Sequence, residues 1–305
     1  MNRFYIFFLL TFIFSACYNM RSSNGGGQTD NAVRTLDIGD VVLAPGYQID
    51  AIATDLTFPS AVTFDEAGNL YVIETGYSYG EVFLQPRLIK LNNDGTQQVI
   101  ATGEKNGPWT NVVHHNGNFY VSEGGQLEGG KILKISPQGQ ITTLIDSLPG
   151  FGDHHTNAVL IGPDNNIYFA QGTATNSGVV GNDNYDFGWL KRFPQFHDIP
   201  CKDITLTGQN FTTPNVITDA QNDKATTGAF VPYGTNTSPN QVIRGSVPCC
   251  GAVMRMSLTG SNLEVVAWGF RNPFGLAFAP NDSLYVMEHG YDARGSRPVW
   301  GAGDY

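Results

Sequence analysis

Along this chain, short runs of alternating apolar and polar residues are separated by clusters of Gly, Asn and Asp. Four stretches align: PSAVTFDEAGNLYVIETG (59–76), TNVVHHNGNFYVSEGG (110–125), TNAVLIGPDNNIYFAQGT (156–173) and PFGLAFAPNDSLYVMEHG (273–290). An alternating run, a turn and a second run ending near an aromatic pair or Leu-Tyr predict a β-hairpin. The anchors Tyr71, Tyr120, Tyr168 and Tyr285 are 49, 48 and 117 residues apart, so the last interval is one period plus an insertion.

Second pairs of strand-like runs follow three of the hairpins, at 87–103, 131–148 and 252–269. Four strands recurring about every 40–50 residues indicate a β-propeller. No helical run of useful length separates them, which argues against a parallel α/β sheet. The expected fold is all-β, with propeller units at about 57–103, 104–150, 151–270 (carrying an insertion, 174–247) and an incomplete 271–305. Tyr47–Leu56 is expected to be an outer strand lent to the last blade. Three units and part of a fourth do not close a ring, so the chain reads as an N-terminal fragment of a longer protein.

The first residues carry a different message. Arg3 is followed by an apolar run from Phe4 to Ala16, broken by Thr11 and Ser15. It is shorter than the roughly 20 residues a membrane span needs and reads as a signal peptide. The ending Phe14-Ser15-Ala16-Cys17 resembles a bacterial lipobox, so residues 1–17 predict a lipidated Cys17. Residues 18–35 read as a flexible tether. The expected location is an exported lipoprotein facing the periplasm or cell surface, with a lipid anchor as its only membrane contact.

Composition narrows the class. The 305 residues hold 17 Lys+Arg against 27 Asp+Glu, a net charge of −10, and aromatic residues make up 12%. That aromatic content excludes a disordered chain. The absence of a basic run argues against nucleic acid as partner.

The insertion is rich in Gly, Asn, Thr and Pro, and Cys201 and Cys249-Cys250 lie near its ends. In an oxidising compartment, a disulfide from Cys201 to Cys249 or Cys250 is expected. Zinc-type Cys-x-x-Cys spacing is absent.

Candidate chemistry follows from hairpin geometry. The start of a hairpin's first strand and the end of its second lie at the same end of the sheet. Asp153-His154-His155 precedes the third hairpin, Arg271-Asn272 precedes the fourth and Glu288-His289-Gly290 follows it, so all should collect at one mouth. The equivalent exit positions are Glu74, Glu123, Gln171 and Glu288, expected to form a rim of three carboxylates and one amide. Of the pair His114-His115, one should pack and one face outward.

WGFRNPFGLAFAPNDSLYVMEHG (268–290) and GDHHTNAVLIGPDNNIYFAQG (152–172) resemble the soluble PQQ-dependent glucose dehydrogenases, six-bladed propellers that oxidise aldoses. GYDARGSRPVWGAGD (290–304) is closer to their sorbosone-dehydrogenase-like branch. The resemblance implies about three and a half of six blades. It also implies hydride transfer from a small-molecule sugar to PQQ, with Ca²⁺ as second cofactor and a further electron acceptor. It puts the catalytic base on His154, the Arg-Asn pair on Arg271 and Asn272, and a cofactor contact on His289. The Ca²⁺ ligands fall on Gly290 and Tyr291. One position departs: the carboxylate that orients the base in the glucose enzymes is Thr173 here. The basic residues that grip the quinone carboxylates belong to later blades, past Tyr305. Other expectations are a non-catalytic binding propeller, or a Ca²⁺-dependent lactonase-like hydrolase using Glu74, Glu123 and Glu288.

Overall fold

The computed structural model describes residues 37–305 except 79–81, 126, 150, 153, 187, 219, 221, 291–294 and 298–305. The expected signal peptide, Cys17 and the expected tether lie outside the described residues. Among the described residues, no helix is long and apolar enough to cross a membrane.

Alternating patterns become antiparallel meanders. The first sheet is β1 (Pro59–Phe64), β2 (Leu70–Glu74), β5 (Arg87–Leu91) and β6 (Gln97–Thr102), with a small hairpin, β3 (Tyr77–Ser78) and β4 (Val82–Phe83), between its middle strands. The second is β7 (Trp109–His115), β8 (Asn118–Glu123), β9 (Gly130–Ile135) and β10 (Ile141–Leu148). β7 and β8 join through Asn116-Gly117, both at positive φ (49° and 71°), the twist a two-residue hairpin loop requires.

The third sheet runs β11 (Thr156–Ile161), β12 (Ile167–Gln171), β17 (Ala252–Met256) and β18 (Glu264–Trp268). The insertion interrupts it between β12 and β17. It holds α1 (Asn182–Asp186), α2 (Trp189–Arg192) and two strand pairs: β13 (Ile204–Thr205) with β16 (Val242–Ile243), and β14 (Asn210–Pro214) with β15 (Lys224–Gly228). A last hairpin is β19 (Asn272–Phe278) and β20 (Leu284–His289).

The first strands of successive units adjoin: β1 meets β7, β7 meets β11 and β11 meets β19. Side chains on opposite faces of one sheet enter different cores, as the two-residue period requires. On β8, Phe119 and Val121 join Tyr71, Ile73, Leu88 and Trp109 from the neighbouring strands. Tyr120 points the other way, to Ile132, Phe169 and Met254. The second and third sheets are thus covered on both faces by their neighbours, whereas the first sheet and the last hairpin each keep an exposed face carrying Val62 and Phe64, and Tyr285 and Met287; the architecture is a partial β-propeller of three blades and a fourth hairpin.

Three details sharpen the sequence reading. Residues 47–56 form no strand and are mostly exposed; a strand needs a ladder partner, and none among the described residues pairs with this segment. The disulfide joins Cys201 to Cys249, with Cα atoms 5.0 Å apart, and Cys250 is free and buried. His114 packs edge-on against Phe119 (centroids 4.8 Å apart), while the His115 ring reaches outward to Asn165 at 2.9 Å.

Candidate active site

The site is built on a joint that recurs at one end of every hairpin. Register pairs Pro59 with Glu74, Trp109 with Glu123, Thr156 with Gln171 and Pro273 with Glu288. Stepping two residues outward, Thr57 faces Gly76, Gly107 faces Gly125, His154 faces Thr173 and Arg271 faces Gly290. The backbone repeats as well: Thr75 N donates to Phe58 O, Gly124 N to Pro108 O and Gly172 N to His155 O. His154 and Arg271 therefore occupy the same position in consecutive units, at the same mouth.

Thr173 joins them. His154 N donates to Thr173 O at 3.0 Å, and Thr173 N donates to Arg271 O at 2.8 Å. The buried His154 ring places Nδ1 3.1 Å from both the carbonyl oxygen and the hydroxyl of Thr173. The carbonyl can only accept, and the hydroxyl donates its own proton to Thr175 O at 2.6 Å. Nδ1 must then carry the proton, leaving the Nε2 lone pair as the basic position.

The buried Arg271 side chain spans the insertion and the last hairpin. Nε donates to Asn176 Oδ1 at 2.9 Å, and Nη1 donates to the carbonyls of His289, at 3.4 Å, and Gly290. Asn272 accepts from Asn157 Nδ2 at 2.8 Å, and its own amide lies 3.3 Å from His289 Nδ1. The His289 ring stacks on Phe274, with centroids 5.0 Å apart and planes 19° apart. His154, Arg271, Asn272, His289 and Gly290 thus form one connected group. Asp153 and Tyr291 lie outside the described residues.

A cavity of about 180 Å³ opens behind this group, lined by Thr173, Asn176, Asp198, Cys250, Trp268 and Arg271 among others. Burial pushes the Asp198 carboxyl up from its ordinary value, opposed by hydrogen bonds from Thr175 and Ala174. Burial also pushes the Cys250 thiol far up, helped by the nearby Asp198 charge, so this is no reactive thiolate.

The expected rim of carboxylates is not an open ring of ligands. Glu74 accepts from Thr57 N at 2.7 Å and pairs with Arg87; Glu123 accepts from Trp109 Nε1 at 3.0 Å and Asn106 Nδ2 at 2.6 Å. Gln171 bonds Thr156 and Pro149, and Glu288 accepts from Arg271 N. Each exit side chain pegs the incoming segment of its own hairpin. Alternation and turn geometry locate a strand end but do not say whether its side chain is already spoken for.

The same test applies to the implied cofactors. The Gly290 carbonyl accepts from the Arg271 guanidinium, and a calcium ion on that oxygen would sit against a fixed positive charge. Among the described residues, no three His, Cys, Asp or Glu side chains gather as a metal site. Tyr291, the other implied ligand, lies outside the described residues, and with the Arg271 guanidinium where it stands the Gly290 carbonyl is already engaged. A planar, anionic quinone fits better: the stacked His289 and Phe274 rings, the Asn272 amide and the Arg271 guanidinium offer a flat face, a hydrogen bond and a positive charge.

Sequence reasoning missed Asn157, Asn176 and Asp198. Asn157 was visible as the second residue of TNAV, repeating Asn111 of TNVV. Asn176 and Asp198 sit in the aperiodic insertion, where no spacing marks them.

No protein-family model matches the chain, and no curated protein is similar to it. Among solved structures, it is similar to the PQQ-bound form of aldose sugar dehydrogenase from Streptomyces coelicolor, with 14% identity and a TM-score of 0.46 over 82% of this chain. It is also similar to a protein provisionally assigned as a gluconolactonase (14%, TM-score 0.44, 84% of this chain) and to a chain of a nidogen/laminin complex (11%, TM-score 0.40, 76% of this chain). The chain spans 63%, 68% and 58% of those three proteins in turn. At these identities and TM-scores the likenesses carry no functional argument.

Proposed function

We propose that this site oxidises a hydroxyl-bearing carbon of an aldose-type sugar, with the electrons leaving to a planar quinone of the PQQ class. The observation that supports the reading most is the His154 tautomer, with Nδ1–H committed to Thr173 and Nε2 left basic. A neutral imidazole can take the proton of a sugar hydroxyl near neutral pH, an effect typically worth about 10²–10⁴ in rate. The quinone, when bound, supplies the two-electron sink that accepts the hydride from that carbon. Asn272, His289 and Phe274 would hold the flat ring system. Arg271, fixed by Asn176, would favour negative charge developing beside it. No step is assigned to calcium.

The resemblance of segments 152–172 and 268–290 to the glucose and sorbosone dehydrogenases supports the same reading. The proposal includes export as a lipoprotein anchored through Cys17; Cys17→Ser should move the protein from the membrane to the soluble fraction.

The test is dye-linked oxidation of a panel of aldoses by the chain supplied with PQQ. The proposal expects dye reduction that needs both sugar and PQQ and that slows in Arg271→Ala. A protein that neither binds PQQ nor oxidises any aldose would favour a binding module instead.

A further inference from the structure

The insertion brings a fully buried carboxyl to the back of the joint. Asp198 is 1% exposed. It accepts from Ala174 N at 2.6 Å and from the Thr175 hydroxyl, which itself receives Gly178 N at 2.8 Å. Cys250 lines the same cavity as Asp198. Its own segment is held in turn: Cys250 N donates to Ile199 O at 2.8 Å, and Ile199 N lies 3.3 Å from Cys250 Sγ. The Cys201–Cys249 disulfide closes the same neighbourhood.

From Asp198 the connections run to the imidazole without a gap. The carboxyl fixes Thr175, the Thr175 carbonyl takes the Thr173 hydroxyl proton, and the Thr173 oxygens face His154 Nδ1. In the first two units the position of Thr173 is glycine at positive φ, Gly76 (71°) and Gly125 (80°). Neither offers a side-chain acceptor. In the third unit this position carries a hydroxyl, and the residues that follow it, 174–175, are held by Asp198 of the insertion.

We infer that Asp198 is a positioning residue for His154: it clamps residues 174–175 so that Thr173 presents two acceptors to Nδ1–H, in place of a carboxylate touching the imidazole directly. Thr173 offers Nδ1 a hydroxyl and a carbonyl rather than a charge, so how firmly those two oxygens are placed sets how well they hold the Nδ1 proton. The inference rests on His154 being the base of the proposed reaction, yet its main readout needs neither sugar nor quinone.

The experiment is long-range ¹H–¹⁵N correlation of the histidine rings in the full chain, with His154 assigned among the six histidines by its loss in His154→Gln. In the unsubstituted protein, neutral His154 should be protonated at Nδ1 and bare at Nε2. Asp198→Asn keeps the shape but cannot accept at both positions, and should shift the ring toward a tautomer mixture. Turnover should fall roughly 10–100-fold, the usual scale for losing an outer partner of an oriented imidazole. If Asp198→Asn fails to fold, Thr175→Val carries the same test, since it keeps the carboxyl and removes the hydroxyl between. A proton on Nε2 in the unsubstituted protein would overturn the inference, as would an unchanged tautomer in the folded variants. A tautomer that follows Asp198 in a protein that oxidises no aldose would leave the positioning intact and sink the proposed reaction alone.

Discussion

The joints of the first two units and those of the last two share a backbone plan and differ in what they carry. In the first pair the facing residues are Thr57 with Gly76 and Gly107 with Gly125, and the nearby carboxylates Glu74 and Glu123 are buried pegs. In the second pair they are His154 with Thr173 and Arg271 with Gly290, tied to each other and to Asn176 of the insertion. A repeated scaffold supplies equivalent positions around one mouth. Two of them carry His154 and Arg271 on the same hairpin ladder, and one insertion braces the turn beside the first and bonds the second.

Breaking the structural joint should cost the most stability. Trp109 is completely buried and donates to Glu123. Trp109→Ala should lose about 3–5 kcal/mol in urea unfolding, as large aromatic truncations do. Next is the brace of the insertion: replacing Cys201 and Cys249 with Ala reopens a 48-residue separation, worth about 4 kcal/mol in the chain-entropy picture. A loss of stability with hairpin signals retained would place the weakness in the insertion.

Exchanging the turn residues sharpens the comparison. A Cβ on Gly125 would lie 2.0 Å from the Gly129 carbonyl, at a φ of +80°, so Gly125→Thr should cost about 1–3 kcal/mol or more. The reverse change, Thr173→Gly, should cost about 1 kcal/mol or less in stability while slowing turnover. Equal stability losses in the two exchanges would erase the distinction between the joints.

The smallest effect concerns the far end of the first hairpin. Hydrogen bonds to the Asp65 carboxylate, led by that from the Asn69 side chain, pull its pKa from 3.8 down to about 2. Because the folded value lies below the unfolded one, its stabilising contribution is present above about 4 and is lost as pH falls through about 2. Carboxyl NMR titration should find that midpoint, and Asn69→Ala should raise it.

The repeat made much of this legible. Four tyrosine-anchored hairpins fixed the strands, and antiparallel geometry alone put residues 154, 271 and 289 at one end. Three things stayed hidden. Glu74, Glu123 and Glu288 looked like an open rim because a strand pattern does not record the hydrogen bonds a side chain makes across its own joint. Asp198 and Asn176 were invisible because their segment has no period, and their positions follow from tertiary packing. The choice of Cys249 over its neighbour Cys250 is a matter of side-chain direction, which adjacent cysteines in a sequence do not disclose.

The central claim is that the third joint holds the proton acceptor. Its most direct measurement is turnover of His154→Ala against the unsubstituted chain, both loaded with PQQ and compared at saturating aldose. The account predicts a fall in kcat of roughly 10²–10⁴, as for loss of a general base, with quinone affinity largely kept. Unchanged turnover in a folded, quinone-binding His154→Ala protein would contradict it.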